Sequence, residues 1–142
     1  MTQRDLPEGY TLDDDVSRID VDAVHRFIST ESYWGLGRAR SVTELALAGS
    51  ARMVGLYAPD GALVGFGRVI SDTQTFAWLA DVYVLEAHRG AGRGTALARE
   101  LVDGSDFPQV RWILATRDAH DLYRKVGFGA PSDKIMERPT SG

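Results

Sequence analysis

Cysteine is absent from the 142 residues, and its absence excludes several kinds of site. A chain without cysteine cannot build a disulfide framework, a thiolate zinc site or a cysteine nucleophile. The sequence also has no apolar run near the ~20 residues that a membrane-spanning helix needs. The N-terminal segment Met1–Pro7 lacks the apolar centre of a secretory signal. We therefore expect a cytoplasmic protein that does not contact a membrane.

The sequence also has fewer basic than acidic residues. The chain has 16 Lys and Arg against 20 Asp and Glu, for a formal net charge of −4. Because this balance has no basic excess, we expect no nucleic-acid partner. The histidines stand apart from one another and from any compact group of carboxylates, so we expect no metal site. The length fits a single domain over residues 1–142.

The first third of the chain predicts one strand and two helices. The strand is expected at Tyr10–Asp14. The first helix can be capped by Asp20 or Asp22. The second helix is expected to begin with a capping box, because Ser41 precedes Glu44 by three residues.

Three strands are predicted next, separated by polar turns. They cover Arg52–Tyr57, Leu63–Ile70 and Phe76–Val84, and Pro59-Asp60-Gly61 joins the first two as an antiparallel hairpin. The third strand is apolar on both faces except at Asp81, which is typical of a central strand.

The last part of the chain alternates between helix and strand. A helix follows a glycine-rich segment and ends at Gly104. A buried strand is expected at Trp112–Ala115, a helix capped by Asp118 follows it, and Lys134–Glu137 forms a last strand. These elements together predict an α/β fold with a mixed sheet.

The glycine-rich segment, residues 88–95, lies between the central strand and a helix. The first amides of a helix have no intrahelical partner, and the helix dipole adds partial positive charge there. Gly90, Gly92 and Gly94 leave these amides open to a phosphate, while Arg89 and Arg93 add full charges. We interpret the segment as a phosphate or pyrophosphate site rather than a tight turn with incidental glycines.

Two common phosphate-binding motifs do not fit this segment. A dinucleotide-binding turn needs G-x-G-x-x-G and an acidic residue at the end of the next strand. Here the spacing from Gly90 is G-x-G-x-G, and residues 114–117 at the end of the next strand are not acidic. A P-loop needs Gly-Lys-Ser/Thr, whereas the nearest segment is Arg93-Gly94-Thr95.

Two motifs resemble those of the GNAT superfamily of N-acetyltransferases. Arg89-Gly90-Ala91-Gly92-Arg93-Gly94 matches the Q/R-x-x-G-x-G/A signature of that superfamily, and residues 118–128 resemble its helix ending in Tyr-x-x-x-Gly-Phe. The order of elements also fits. The resemblance implies a mixed, mostly antiparallel sheet of six to seven strands, splayed near the middle, with about four helices on both faces.

The resemblance also implies acetyl-CoA as the donor. The amides of residues Gly90 through Thr95, including that of Ala91, would hold the pyrophosphate. The backbone of Val82, Tyr83 and Val84 would pair with the pantetheine arm as an added strand does. A free backbone amide near Val82 could polarise the thioester carbonyl.

Two residues are candidates for proton transfer. The resemblance places Tyr123 beside the sulfur as a general acid, and a phenol of pKa ~10 stays protonated at neutral pH. Asp81 is the candidate base, because burial would raise its pKa, and His120 or water are the alternatives. The alternative role of Asp81 is that of a structural carboxylate bonded to a hydroxyl, an amide or an arginine such as Arg68. Strand alternation puts Asp81 and Tyr83 on one face and Trp78, Ala80 and Val82 on the other.

The acceptor side is expected to use residues that are far apart in sequence. The aromatic loop with Tyr33 and Trp34 could form the acceptor wall, or it could simply hold two helices against the sheet. Arg38 and Arg68 are further candidates, Arg38 for an acidic group of the acceptor.

Three functions are compatible with these residues. The first is acetyl transfer from acetyl-CoA to a primary amine of a small molecule, by direct attack in a ternary complex. The second is a non-catalytic acyl-CoA-binding module, which would have no need of Tyr123. The third is acetylation of protein lysines or N-termini. The resemblance also allows a homodimer formed through sheet edges or the C-terminal strand.

Overall fold

A computed structural model describes residues 3–141, so Met1, Thr2 and Gly142 of the predicted domain lie outside the described residues. Within this range the chain forms one six-stranded sheet whose strands lie in chain order. The first five strands are antiparallel to their neighbours, and the sixth is parallel to the fifth. The strands are β1 (Gln3–Asp5), β2 (Thr11–Asp13), β3 (Arg52–Tyr57), β4 (Leu63–Ser71), β5 (Phe76–Val84) and β6 (Arg111–Ile113).

Four α-helices cover the sheet within the described range. Two of them, α1 (Val21–Thr30) and α2 (Arg40–Ala48), connect β2 to β3. The third, α3 (Arg93–Asp103), crosses from β5 to the parallel strand β6, and α4 (His120–Arg124) follows β6. None of these helices is long and apolar enough to cross a membrane.

The two faces of the sheet carry separate hydrophobic cores. Leu97 and Leu101 of α3 pack into one core, and Val24 and Ile28 of α1 pack into the other. Neighbouring strand residues alternate between them: Tyr83 belongs to the α1 core and Val84 to the α3 core. The predicted α/β fold, with a mostly antiparallel sheet and helices on both faces, is therefore confirmed.

The predicted caps are confirmed for α1 and wrong for α2 and α4. The Asp20 carboxylate accepts a hydrogen bond of 3.0 Å from the amide of Ala23, which caps α1. Helix α2 begins at Arg40, so Ser41 lies inside its first turn, and Glu44 accepts from the Arg40 guanidinium at 3.0 Å. The residue before α4 is Ala119 rather than Asp118.

The ends of the sheet also differ from the prediction. Strand β1 was not expected, because its three exposed residues, Gln3–Asp5, have no hydrophobic pattern. The predicted strand at Lys134–Glu137 is wrong: residues 125–141, all of them described, contain no strand. The neighbouring strand β6 has only three residues and so provides a short edge for pairing. The homodimer stays a prediction.

Strand β5 is irregular at its middle. Phe66 pairs with Tyr83 and Arg68 with Ala80, so Gly67 alone faces both Asp81 and Val82. This bulge gives Asp81 a φ of 54°. It also shifts the alternation, because Leu79 and Val82 both pack on the α3 side. The expectation of regular alternation along β5 is therefore wrong at this point.

Strands β5 and β6 separate soon after they meet. Their pairing joins Phe76–Trp78 to Arg111–Ile113 and goes no further among the described residues. From Leu79 onward, β5 has a free edge on this side. The predicted splay of the sheet is confirmed, and it leaves a cleft between the two strands.

A buried ion cluster joins α3 to the sheet away from this cleft. The Glu100 carboxylate accepts hydrogen bonds from Arg4 at 2.8 Å and from Arg52 at 2.9 Å. Glu100 is buried, and the Arg52 side chain is 9% exposed. Removal of the carboxylate would leave Arg52 with Asp14, at 3.3 Å, as its remaining ion-pair partner among the described residues.

We expect Glu100→Ala to lower the free energy of unfolding by about 3 kcal/mol, because a buried cation loses its main partner. Urea unfolding measures the change. The control is Asp121→Ala, which breaks the exposed Asp121–Arg124 pair on α4 and should leave the unfolding midpoint almost unchanged. Equal midpoints for the two variants would contradict the structural role of Glu100.

Candidate active site

A cavity of about 540 Å³ occupies the cleft where β5 and β6 separate. One wall is β5 with its neighbour β4, the second is the segment of residues 114–119 after β6, and the third is the loop that joins α1 to α2. All predicted catalytic and acceptor-binding residues line this one cavity, although they are spread over 90 positions of the chain. They are Tyr33, Trp34, Arg38, Arg68, Asp81 and Tyr123.

Asp81 is the centre of the hydrogen-bond network in this cleft. One carboxylate oxygen accepts from the indole N–H of Trp34 at 2.7 Å. The other accepts from Arg38 at 3.0 Å and from Arg68 at 2.7 Å. Asp81 therefore joins the α1–α2 loop to β4 and β5, as the structural alternative for this residue predicted.

The pKa of Asp81 shifts in the direction opposite to the one expected. Burial is the largest single influence and acts to raise the pKa, but the hydrogen bonds and charges of Arg38 and Arg68 together outweigh it. The pKa of Asp81 is lowered as a result. The prediction of a carboxylate poised to take a proton near neutrality is therefore wrong on this point, because the two guanidiniums stabilise its ionised form.

The aromatic loop reaches across the cleft. The Tyr33 hydroxyl accepts a hydrogen bond of 2.7 Å from the amide of Arg117, and the Arg117 guanidinium lies 4.0 Å from the centre of the Tyr33 ring. Trp34 packs edge-on against Tyr33 and near Phe27 of α1. The loop thus both lines the cavity and holds the α1 side of the molecule to the segment after β6.

Tyr123 lies on α4 where the cleft meets a second cavity of about 820 Å³. Burial, with smaller contributions from Tyr33 and Asp118, raises the pKa of Tyr123 to about 12. The phenol is consequently a proton donor, not a phenolate, throughout the neutral range. His120, one turn earlier, lines only the second cavity.

The glycine-rich segment opens to solvent at the start of α3. Gly90, Ala91 and Gly92 have φ values of 96°, 53° and 73°, so three successive residues take the left-handed conformation. Apart from the glycine and its chain neighbours, no described residue has an atom within 4 Å of the place where a Cβ of Gly90 or Gly92 would stand. The amides of Gly94 and Thr95 belong to the first turn of α3, where the helix itself offers no acceptor.

The two arginines of this segment have different surroundings. Arg89 is exposed, and its Nε donates to the carbonyl of Val84 at 2.9 Å. Arg93 is buried: it lies 3.8 Å from the centre of the Tyr10 ring and donates to Glu8 at 2.8 Å. The expectation of an Arg93 charge facing a phosphate is corrected, because this guanidinium is turned toward the N-terminal segment.

Three residues of β5 were predicted to contact the donor, and at Tyr83 only the backbone is available for this contact. The Tyr83 ring stacks on Phe27 at 3.9 Å in the α1 core, and burial raises its pKa. Val82 and Val84 pack toward α3. The backbone of these residues lies on the part of β5 that has no strand beside it on the β6 side.

Sequence reasoning missed Arg117 and Trp78, which also line the cleft. Arg117 follows the carboxyl end of β6. Ligands of open α/β sheets bind at this end of the strands, so the position of Arg117 in the sequence indicated a site residue. Trp78 gave no such signal. Among residues 3–141 no group of three His, Cys, Asp or Glu side chains could hold a metal ion.

Comparisons with known proteins agree with this arrangement. The profile of the acetyltransferase (GNAT) domain matches residues 52–129, more than half of the chain. A crystal structure from Xanthomonas campestris pv. campestris, provisionally assigned as a GNAT acetyltransferase, is 36% identical and has a TM-score of 0.85. The match covers 92% of this chain and 93% of that one.

Two more distant relatives extend the comparison. A protein of Gibberella zeae, provisionally assigned as an acetyltransferase, is 28% identical over 138 residues, which cover 82% of this chain and 76% of that protein. A structure from Deinococcus radiodurans has 21% identity and a TM-score of 0.71, covers 97% of this chain and 94% of its own, and shows the fold alone. The domain match and the fold together show that this chain belongs to the GNAT family of acetyltransferases.

Proposed function

We propose that this protein transfers an acetyl group from acetyl-CoA to the primary amine of a small molecule, by direct attack in a ternary complex. The observation that carries the proposal is that two features lie next to each other where β5 and β6 separate. The open glycine segment lies at the end of β5, and the cleft with Tyr123 lies along its free edge. A cytoplasmic location fits a chain without cysteine and a substrate made inside cells.

The chain's residues fit a CoA pyrophosphate. The space at Gly90 and Gly92 would be filled by any side chain there, and Arg89 stands next to them as an exposed cation. In the proposal the amides of Gly90, Ala91, Gly92, Gly94 and Thr95 bind the pyrophosphate. The Arg93 amide is not included, because it already donates to the Gly90 carbonyl at 3.2 Å. The free edge of β5 at Val82–Val84 accepts the pantetheine arm by backbone hydrogen bonds.

Acetyl-CoA supplies an activated acetyl thioester to the cleft. In the transfer, the amine nitrogen forms the new bond to the acyl carbon and the carbon–sulfur bond breaks. The amine loses one proton, and the departing sulfur gains one. We assign the second proton to Tyr123, which burial keeps protonated and which solvent then reprotonates.

Asp81 acts in this proposal as a positioning residue. Its carboxylate is already engaged by three donors and its pKa is lowered, so it is a weak proton acceptor near neutrality. The network holds Trp34, Arg38 and Arg68 in place around the acceptor. The amine proton then leaves through water, or the amine arrives neutral.

The bridged cleft favours a small acceptor over a protein segment. The hydrogen bond between Tyr33 and the amide of Arg117 closes one side of the cavity, where an extended peptide would need an open groove. A partly buried phenol in the cleft favours an enzyme over an acyl-CoA-binding module, because a pure binder has no use for a proton donor there.

The cofactor half of the proposal is tested by calorimetric titration with acetyl-CoA. We expect Gly92→Glu to weaken binding at least about thirtyfold, because the carboxylate fills the segment and repels phosphate. Gly61→Glu is the matched control: Gly61 also has a positive φ, 87°, and open space, but lies on the β3–β4 turn. Both variants should lose about 1 kcal/mol of stability through backbone strain. Equal affinities in the two variants would rule out this binding site.

The assignment of Tyr123 is tested with Tyr123→Phe in a steady-state assay of released CoA thiol. The chain has no cysteine, so a thiol reagent gives no protein background. We expect kcat to fall about 100-fold with little change in the KM for acetyl-CoA, since only the proton donor is lost. Tyr57→Phe is the control, because that buried hydroxyl has no hydrogen-bond partner among the described residues and lies outside the cleft. An unchanged kcat in Tyr123→Phe would remove its acid role.

The state of Asp81 is tested by the pH dependence of stability. A lowered pKa in the folded protein means that the carboxylate stabilises the fold above its unfolded pKa of about 3.9 and loses this effect as the pH falls through the folded value. The wild type should therefore exceed Asp81→Asn in unfolding free energy by a constant amount from about pH 5 to 7. The difference should shrink below about pH 4. A difference that instead grows as the pH falls from 7 to 6, as a raised pKa in the folded protein requires, would restore Asp81 as a candidate base.

A further inference from the structure

Two guanidiniums share a single carboxylate in the cleft. Arg38 and Arg68 both donate to the same oxygen of Asp81, at 3.0 Å and 2.7 Å. The side chains of Arg38 and Arg68 are 18% and 11% exposed, and that of Asp81 is 2% exposed. The group thus carries one uncompensated positive charge in a partly desolvated place, where an unpaired charge is costly.

These arginines keep hydrogen-bond donors for another group. Within residues 3–141, Nε and Nη2 of Arg38 and Nη2 of Arg68 have no hydrogen-bond partner, and both side chains line the cleft. An arginine fork with free donors matches the paired oxygens of a carboxylate or a phosphate.

A third arginine faces the cleft from its opposite wall. Arg117 comes from the segment after β6, and the Tyr33 ring holds its guanidinium at 4.0 Å. No carboxylate among the described residues forms an ion pair with Arg117. Three arginines from three different segments of the chain therefore face one cavity, whose carboxylates are Asp81 and Asp118 alone among the described residues.

The same contact argues against a purely cationic acceptor. Tyr33 is one of the aromatic residues of the cleft, with Trp34 and Trp78, and the Arg117 guanidinium already lies over its ring. The nearest buried carboxylate, Asp81, is already paired with two cations. Neither feature is free to bind a second positive charge.

We propose that the acceptor is an amine that also carries an anionic group, a carboxylate or a phosphate, and that Arg38, Arg68 and Arg117 bind this group. The inference rests on the proposed acetyl transfer and specifies its substrate class. The anion balances the extra charge of the cleft and fixes the amine relative to the donor.

The arginines also help the amine to react. Nearby positive charges disfavour the ammonium form of a bound amine and so lower its pKa. A larger share of the bound acceptor is then neutral and nucleophilic. This removes the need for a buried base, and it agrees with the engagement of Asp81 in ion pairs.

The test compares matched amines in calorimetric titrations of the protein, with and without saturating CoA, so that no reaction occurs. The carboxylate arm uses α- and ω-amino acids and their neutral amides. The phosphate arm uses 2-aminoethyl phosphate and ethanolamine, and a diamine serves as the cationic probe. We expect one anionic series to bind at least about tenfold more tightly than its neutral counterparts. Tightest binding of the neutral amines or the diamine would overturn the proposal.

Arginine variants assign the effect to the cleft. We expect Arg117→Gln to weaken the preferred anionic probe about tenfold without changing the affinity for its neutral counterpart, and Arg117→Lys to restore part of the loss. Arg124→Gln is the matched control, since it removes the same charge from α4 outside the cleft. Equal affinities of Arg117→Gln and Arg124→Gln for the anionic probe would contradict the assignment.

The two proposals fail in distinguishable ways. If the protein binds acetyl-CoA and acetylates neutral or cationic amines in preference, the acetyl transfer stands and the anionic acceptor is wrong. If acetyl-CoA does not bind, the proposed function is wrong, whereas the titrations without CoA still measure the preference for anions.

Discussion

At the middle of β5, two residues face the single Gly67 of β4, and the structure of the cleft depends on this bulge. A side chain at Gly67 would collide with Leu101 of α3. The bulge places Asp81 in a left-handed conformation, and from there its carboxylate reaches Trp34, Arg38 and Arg68. A regular strand would have continued the alternation of β5 and changed which of its side chains face the helices.

The second constraint is the separation of β5 from β6. The pairing of these strands ends at Trp78, so the remaining backbone of β5 has no strand on one side. The glycine segment follows at the end of the same strand, and Tyr123 faces the gap from α4. One departure from regular sheet pairing thus brings together a backbone edge, a set of open amides and a proton donor. Parts of this kind are useful to an acyl transferase only when they lie close to one another.

Contacts with the N-terminal segment also stabilise this arrangement. The buried guanidinium of Arg93 packs on the Tyr10 ring and pairs with Glu8, and Tyr10 in turn shares a hydrogen bond of 2.8 Å with His88. These contacts hold the start of α3 against the region between β1 and β2. Arg93 therefore contributes to the glycine segment by fixing its position, whereas Arg89 contributes an exposed charge.

Local patterns in the sequence were sufficient for β3, β4 and β5, whose predicted ends lie within one residue of those observed. They were also sufficient for the Asp20 cap and for the motif of residues 89–94, because periodicity, turn chemistry and helix caps are short-range properties. They failed for β1, which has no hydrophobic pattern, and at Ser41 and Asp118, which do not cap their helices. They also failed at Lys134–Glu137, which forms no strand.

The sequence by itself determined the fold class, the glycine segment and the types of side chain available for chemistry. Only the tertiary structure decided how those side chains share their charges. Arg68, named from the sequence as one possible partner of Asp81, lies 13 positions from it, and Arg38 lies 43 positions from it. No local pattern decides that both guanidiniums reach that carboxylate. Burial alone would have raised the pKa of Asp81, and the two guanidiniums reversed its direction. The sign of such a shift depends on distances that exist only after the strands and loops have packed together.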